Sequence, residues 1–206
     1  MTSVEQPTRS FSLELPDGFV ELPSDVEAAT PERIGAIGAR FAALAGLPPD
    51  DPNAAEAAVY YAAVGATSGD EGVDYTGMAL YRSPDDPARF MMVLLSSLCV
   101  PASHVDVESA VAGLLEVHRA AGQGEVGQID LPAGPAVTVV TEQLSGISDG
   151  EQSAQIRHRA ITAWVPDPGG TTLGVVSVSS NNWVDWPHIA RLAVDILRTM
   201  RWDDET

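Results

Sequence analysis

The segment Gly146-Ile147-Ser148-Asp149-Gly150 has the spacing of a nucleophile elbow, in which a serine on a sharp strand-to-helix turn attacks an acyl carbon. His158 and His188 lie downstream of it, so the residue types of a triad are present. The context opposes that chemistry. Gln155, Arg157 and Arg159 follow Ser148 at the period of a strand, so the glycines read as a hairpin loop and no helix closes an oxyanion hole. Gly122, Gly124 and Gly127 satisfy GxGxxG, but a helical pattern precedes them and a strand pattern follows. A dinucleotide turn needs the reverse order, because the amides of the following helix hold the pyrophosphate, and Glu125 would repel it. The turn after a helix is the reading that remains. His104, His118, His158 and His188 are dispersed, without a close pair of metal-binding spacing. His104 and Asp106 straddle a helix start, where capping is the ordinary use of such residues. Asp70, Glu71 and Asp74 cluster in a glycine-containing loop but lack the ligand ladder of a calcium loop. No catalytic, cofactor-binding or metal-ligating residue is assigned.

Two constellations carry more physical content. Arg157 and Arg159 fall on one face of a strand at period two, where they pair with acids across a sheet or anchor a carboxylate or other anion. Trp183, Asp185, Trp186 and His188 stand between the last strand and the last helix, behind Asn181 and Asn182. Asp185 or Trp186 would cap that helix and the indoles would staple the chain to its first turn; an exposed indole there would be a hot spot for a partner or ligand. Arg157, Arg159, Trp183 and Trp186 are therefore the candidate binding residues.

The elements that must position these residues follow from periodicity. Phe11, Leu13 and Leu15 alternate as a strand ending at Pro16-Asp17-Gly18, and Phe19 to Leu22 is extended again. Thr30-Pro31 starts a helix that runs to about Gly46, and Asp51-Pro52 opens a second, alanine-rich one over 53–66 whose small side chains suit a close neighbour. Strands follow over 73–82 and 89–100, joined by a short polar connection. The second is the most hydrophobic segment of the chain, as befits a central strand covered on both faces. Ser103 and Asp106 have capping-box-like spacing before a helix ending in Gly122; strands cover 126–131, 136–144, 153–165 and 171–180. Ile189, Leu192, Ala193, Ile196, Leu197 and Met200 form the apolar stripe of a last helix, with His188, Arg191, Asp195 and Arg198 facing away. Strand runs with inserted helices predict an α+β fold, a three-layer α/β/α sandwich with a largely antiparallel central sheet. Residues 1–10 read as a flexible tail and 11–206 as one domain.

Composition narrows the function. The 206 residues are 45% hydrophobic, and a chain of that length buries roughly 70% of its unfolded surface without disulfides or metals. Eleven basic residues, all Arg, face 29 acids for a net charge of −18, which disfavours nucleic acid and anionic membrane surfaces. The absence of Lys excludes Schiff-base and P-loop chemistry, and with abundant Ala, Gly, Val and Pro it has the bias of a GC-rich bacterial genome. The lone Cys99 sits in an apolar run and reads as a small buried hydrophobe. A polar start and no apolar stretch of membrane-spanning length suggest a cytoplasmic protein.

The ends of the chain resemble the Mog1/PsbP-like family: the opening run from Phe11 to Phe19 with its Pro16-Asp17-Gly18 turn, and the closing Ile196-Leu197-Arg198-Thr199-Met200-Arg201-Trp202. The resemblance implies an antiparallel sheet flanked by helices, used as a binding or assembly scaffold, and carries over no functional residue or cofactor. The expected function is a cytoplasmic, non-enzymatic adaptor or assembly factor. An acidic surface favours a basic protein partner through steering. The alternative is a small-molecule-binding domain or small hydrolase with a pocket near Arg157, His158 and Trp183, and a third possibility is an obligate oligomer.

Overall fold

The computed structural model describes residues 9–70, 72–122, 124–148 and 153–203; for Asp70, 143–148 and 153–156 the description is of the backbone alone. In chain order the elements are β1 (Phe11–Ser12), β2 (Phe19–Glu21), α1 (Pro31–Ala45), α2 (Pro52–Asp70), β3 (Tyr75–Arg82), β4 (Phe90–Pro101), α3 (Val107–Ala121), β5 (Glu125–Leu131), β6 (Gly134–Ser148), β7 (Ser153–Pro166), β8 (Thr172–Ser180), α4 (Trp186–Leu197) and β9 (Arg201–Trp202). Among the described residues, four helices and antiparallel strand pairing make the fold α+β, as the periodicities predict. The chain divides into two compact units. One comprises residues up to Glu14, Cys99–Asn181 and everything from Ala190; the other comprises Leu15–Leu98 with Asn182–Ile189.

In the second unit β2, β3 and β4 form an antiparallel meander, with Phe19 opposite Ala79 and Gly77 opposite Leu95. The helical hairpin packs on it. Thr30 caps α1 by accepting from the Arg33 amide, Pro31 supplies the first turn, and Gly46 (φ 71°) ends the helix in the left-handed conformation. Asp51 Oδ1 accepts from the amides of Asn53 and Ala54 to start α2. Ile37, Phe41 and Ala42 of α1 meet Ala54 and Ala58 of α2 over Leu22 and Met78. Burying a side chain such as Ile37 or Phe41 contributes about 2 to 3 kcal/mol. The second helix extends one turn beyond its sequence-expected end at residue 66. Gly65 and Gly69 do not break it, because residues 22–24 cross there. A Cβ on Gly65 would lie 2.5 Å from the Pro23 carbonyl oxygen, and one on Gly69 would overlap that of Ser24.

In the first unit β5 to β8 form an antiparallel meander in the order β8-β7-β6-β5, with Val139 opposite Thr162 and Ile161 opposite Val178. β1 pairs with β9 as a separate ribbon, Phe11 opposite Trp202. The alternation from Phe11 to Leu15 persists, but the ladder stops at Ser12, since β9 offers only two residues and the Glu14 amide bonds the Thr199 hydroxyl instead. α3 begins three residues later than a cap at Ser103 would place it. Its cap is Asp106, whose Oδ1 accepts from the Ser109 amide at 2.7 Å, because Ala102 and His104 donate their amides to Thr171 and Gly170 and hold 102–104 extended. Gly122 (φ 61°) closes the helix. In α4 and just beyond it Ile189, Ala193, Ile196, Leu197 and Met200 are buried, Leu192 is half-buried, and Arg191, Asp195 and Arg198 face solvent. Among the described residues no helix is long and apolar enough to cross a membrane.

Candidate apolar groove beside α3

Only Val111 of α3 is fully buried. The helix lies against β5, β6 and β7 along a narrow line, leaving a groove on each flank. The larger, about 380 Å³, is walled by Ala110, Gly113, Leu114 and Val117 of α3, by residues 102–105, and by Leu173 of β8. The smaller, about 290 Å³, runs between Val111, Ala112 and Leu115 and the pair Gln128 and Pro135. Val105 and Val117 on the larger groove are 98% and 63% exposed. Val105 precedes the cap, where an apolar residue usually staples onto the fourth helical residue; that residue here is Ala110, and Val105 stands in solvent.

The polar side chains that line the groove are Ser103, Ser109 and His104. The His104 Nε2 donates to the Asp167 carbonyl at 2.9 Å; a carbonyl only accepts, so this nitrogen carries a proton. The Asp167 turn behind it is closed by hydrogen bonds. Its buried carboxylate accepts from the amides of Gly169 (2.9 Å) and Thr171 (3.2 Å), from the Thr171 hydroxyl, and from Arg9 Nη1 at 3.1 Å. Burial alone would push this carboxyl up, but the bonds from Gly169, Thr171 and Arg9 outweigh it and hold it below the ordinary range.

The sequence-derived candidates are not among the residues that line this groove. Arg157 and Arg159 lie on β7 in the first unit, Arg157 exposed and Arg159 half-buried with its Nε 3.5 Å from Glu142 Oε1, its register partner on β6. Trp183 is half-buried and Trp186 buried in the second unit. None of these, nor half-buried His158, lines either groove. Ser148 ends β6 opposite Ser153 of β7, so strand follows strand as in a hairpin, while Asp149 and Gly150 fall outside the described residues. Gly122 terminates α3 and Gly127 lies inside β5, the helix-then-strand order that does not cradle a phosphate. Cys99 is half-buried rather than buried. Glu71 of the acidic loop lies outside the described residues, and among the described residues no three potential ligands gather around a point suited to a metal.

Asp185 does not cap α4 with its side chain. Its backbone carbonyl receives the amides of His188 and Ile189, while the buried carboxylate takes Arg89 Nε at 2.7 Å, Arg89 Nη2 at 2.9 Å and the Ser83 hydroxyl at 2.6 Å. The Arg89 bonds, opposed by burial and aided by Ser83, bring its carboxyl down to about 2. A sequestered carboxylate at that value is a structural pin, not a general acid. Beside it His188 Nε2 meets Asp85 Oδ2 at 2.9 Å on the surface.

No family model and no curated protein matches the sequence. Among solved structures, LpqN of Mycobacterium tuberculosis, described as involved in cell envelope biogenesis, is similar over 98% of this chain and 88% of its own, at 13% identity and a TM-score of 0.38. A similarity at that level carries no argument about this chain.

The groove was within partial reach of sequence. Val117 lies off the stripe of Val107, Val111, Leu114 and Leu115, and Val105 faces only an alanine as staple partner. Both are valines without a core position. That the Asp167 turn would hold His104 and Arg9 had no such signal, since those two partners lie 63 and 158 residues away.

Proposed function

We propose that this chain is a non-enzymatic adaptor or assembly factor that docks a segment of another protein in the groove beside α3. The observation that carries the reading is Val105, nearly fully exposed at the rim of an apolar groove in a protein whose net charge is −18. The partner segment would set apolar side chains into the groove and basic ones around it. α3 and its cap carry three acids, Asp106, Glu108 and Glu116, against the single Arg119, and the whole chain carries −18. A cytoplasmic location, a bacterial source, and a three-layer α/β/α arrangement of the Mog1/PsbP-like kind belong to the same proposal, supported by composition and by the resemblance of the chain's two ends.

The test is capture of partners by the tagged protein at low and high salt, with a Val105→Asp Val117→Asp variant beside wild type. The expected result is a stoichiometric partner that salt releases and that the variant binds at least about tenfold more weakly. A partner held equally by the variant, or indifferent to salt, would overturn the assignment. Groove size supports a second reading, because about 380 Å³ falls in the range of small-molecule sites. With its Nε2 donating to the Asp167 carbonyl, His104 leaves Nδ1 for a ligand, which suits an apolar ligand with one polar group. A ligand-induced thermal shift that His104→Phe removes, with no protein captured, would favour that reading.

A further inference from the structure

We infer that the two grooves are the mouths of one cleft that crosses the sheet beneath α3, and that it takes an uncharged, elongated apolar molecule whose acceptor group meets the indole N–H of Trp164. Strand register fixes the floor. Gln128 of β5 stands opposite Val137 of β6, Val137 opposite Trp164 of β7, and Trp164 opposite Val175 of β8. Residues paired in this way share one face of the sheet. It is the face that α3 covers, since Gln128 lines the smaller groove and the His118 ring lies 4.7 Å from that of Trp164. Two residues along the strands on the same face, Pro135 lines the smaller groove and Leu173 the larger. The two grooves therefore end on the same rows of the sheet, with Val137 and Trp164 between them below and α3 above.

The cover is light. Val111 is the one fully buried residue of α3, and Leu114, Leu115 and His118 are half-buried. A helix held by so few buried apolar contacts belongs to the part of a fold that opens at least cost. Beneath it Trp164 Nε1 is buried and has no acceptor among the described residues. A buried donor left unpaired is costly, and a ligand that brings an oxygen to it removes that cost, so the indole selects a carbonyl or ether over a plain hydrocarbon. No arginine lines either groove and the chain carries −18, so a buried carboxylate would find no counter-charge and the ligand is uncharged. From β5 to β8 the floor crosses three strand spacings, about 14 Å, which fits a medium acyl chain better than a compact metabolite. The inference rests on the small-molecule reading of the larger groove and adds to it the second mouth and the Trp164 contact.

Nitrogen–proton NMR spectra of the protein titrated with 1-decanoylglycerol at neutral pH test this. The expected result is saturable binding in which the Trp164 indole proton, identified by its contact with the His118 ring, moves downfield as it enters a hydrogen bond. The amides of Leu173 and Gln128, one on each flank of the helix, should shift together with it. Trp164→Phe should bind the ester at least about fivefold more weakly. Decanoate, the same chain ending in a carboxylate, should bind at least about tenfold more weakly than the ester. Should Trp164→Phe fail to fold by circular dichroism, the indole shift in the unaltered protein decides. An indole that does not move, shifts confined to one flank, or decanoate held as tightly as the ester overturns the inference and leaves the small-molecule reading of the larger groove standing. No binding of 1-decanoylglycerol overturns it as well, and the His104→Phe thermal shift then decides that reading by itself.

Discussion

The buried Asp185 carboxylate ties the start of α4 to Ser83 and Arg89 at the β3–β4 connection, and its removal should be felt across the second unit. Asp185→Asn should cost about 2 to 3 kcal/mol at neutral pH, at or below the low end for breaking a buried pair because Arg89 remains partly solvated. The pH dependence has a definite sign. The folded carboxyl sits at about 2, below its unfolded value of roughly 3.9, so its contribution is complete above about pH 4 and is lost as pH falls toward 2. Urea titrations of both proteins at several pH values should show the gap between them closing over that window; a constant gap would refute the assignment. The same residue marks where local sequence reading stops. Thr30, Gly46 and Gly122 were legible because each serves backbone within a turn of itself. Asp185 looked like another cap, yet its partners lie 96 and 102 residues away, and no local pattern points to them.

Helices and strands were largely legible because their apolar periods are strong, and their departures have local causes. The β3–β4 hairpin falls where alternation and turn residues put it, whereas β6 runs on through 145–148, which the sequence reads as loop, and pairs there with β7. The α2 terminus also departs from its expected place, because its glycines answer to a crossing segment rather than to a helix end. Gly65→Ala should therefore destabilise by at least about 1 to 3 kcal/mol, as overpacking against backbone does. Gly35→Ala on the open side of α1, with nothing within 4 Å of the added carbon, should stabilise by about 1 kcal/mol. Paired thermal denaturation checks both signs at once. The grooves of α3 were only hinted at by Val105 and Val117, since a void depends on what fails to pack beside a helix.

At the scale of the molecule the dominant fact is charge. Twenty-nine acids against 11 Arg repel one another in the folded state, so raising salt from about 10 to about 150 mM should raise the melting temperature by several degrees, as screening shortens to about 8 Å. A melting temperature that stays flat would mean that the acids are already compensated locally. Near its pI of about 4.3 the protein should be least soluble. Charge balance could be read from sequence in full; the meeting of residues 9–12 with 201–203 could not, because nothing local announces a pairing across the length of the chain. The Asp203 amide donates to the Ser10 carbonyl at 3.0 Å, and Arg9 Nε donates to the Asp203 carbonyl at 2.7 Å. Cargo tethered beyond Arg9 and cargo tethered beyond Asp203 would thus leave from one spot, and two short-linked fusion partners would see each other at millimolar effective concentration with this protein as their hinge pin.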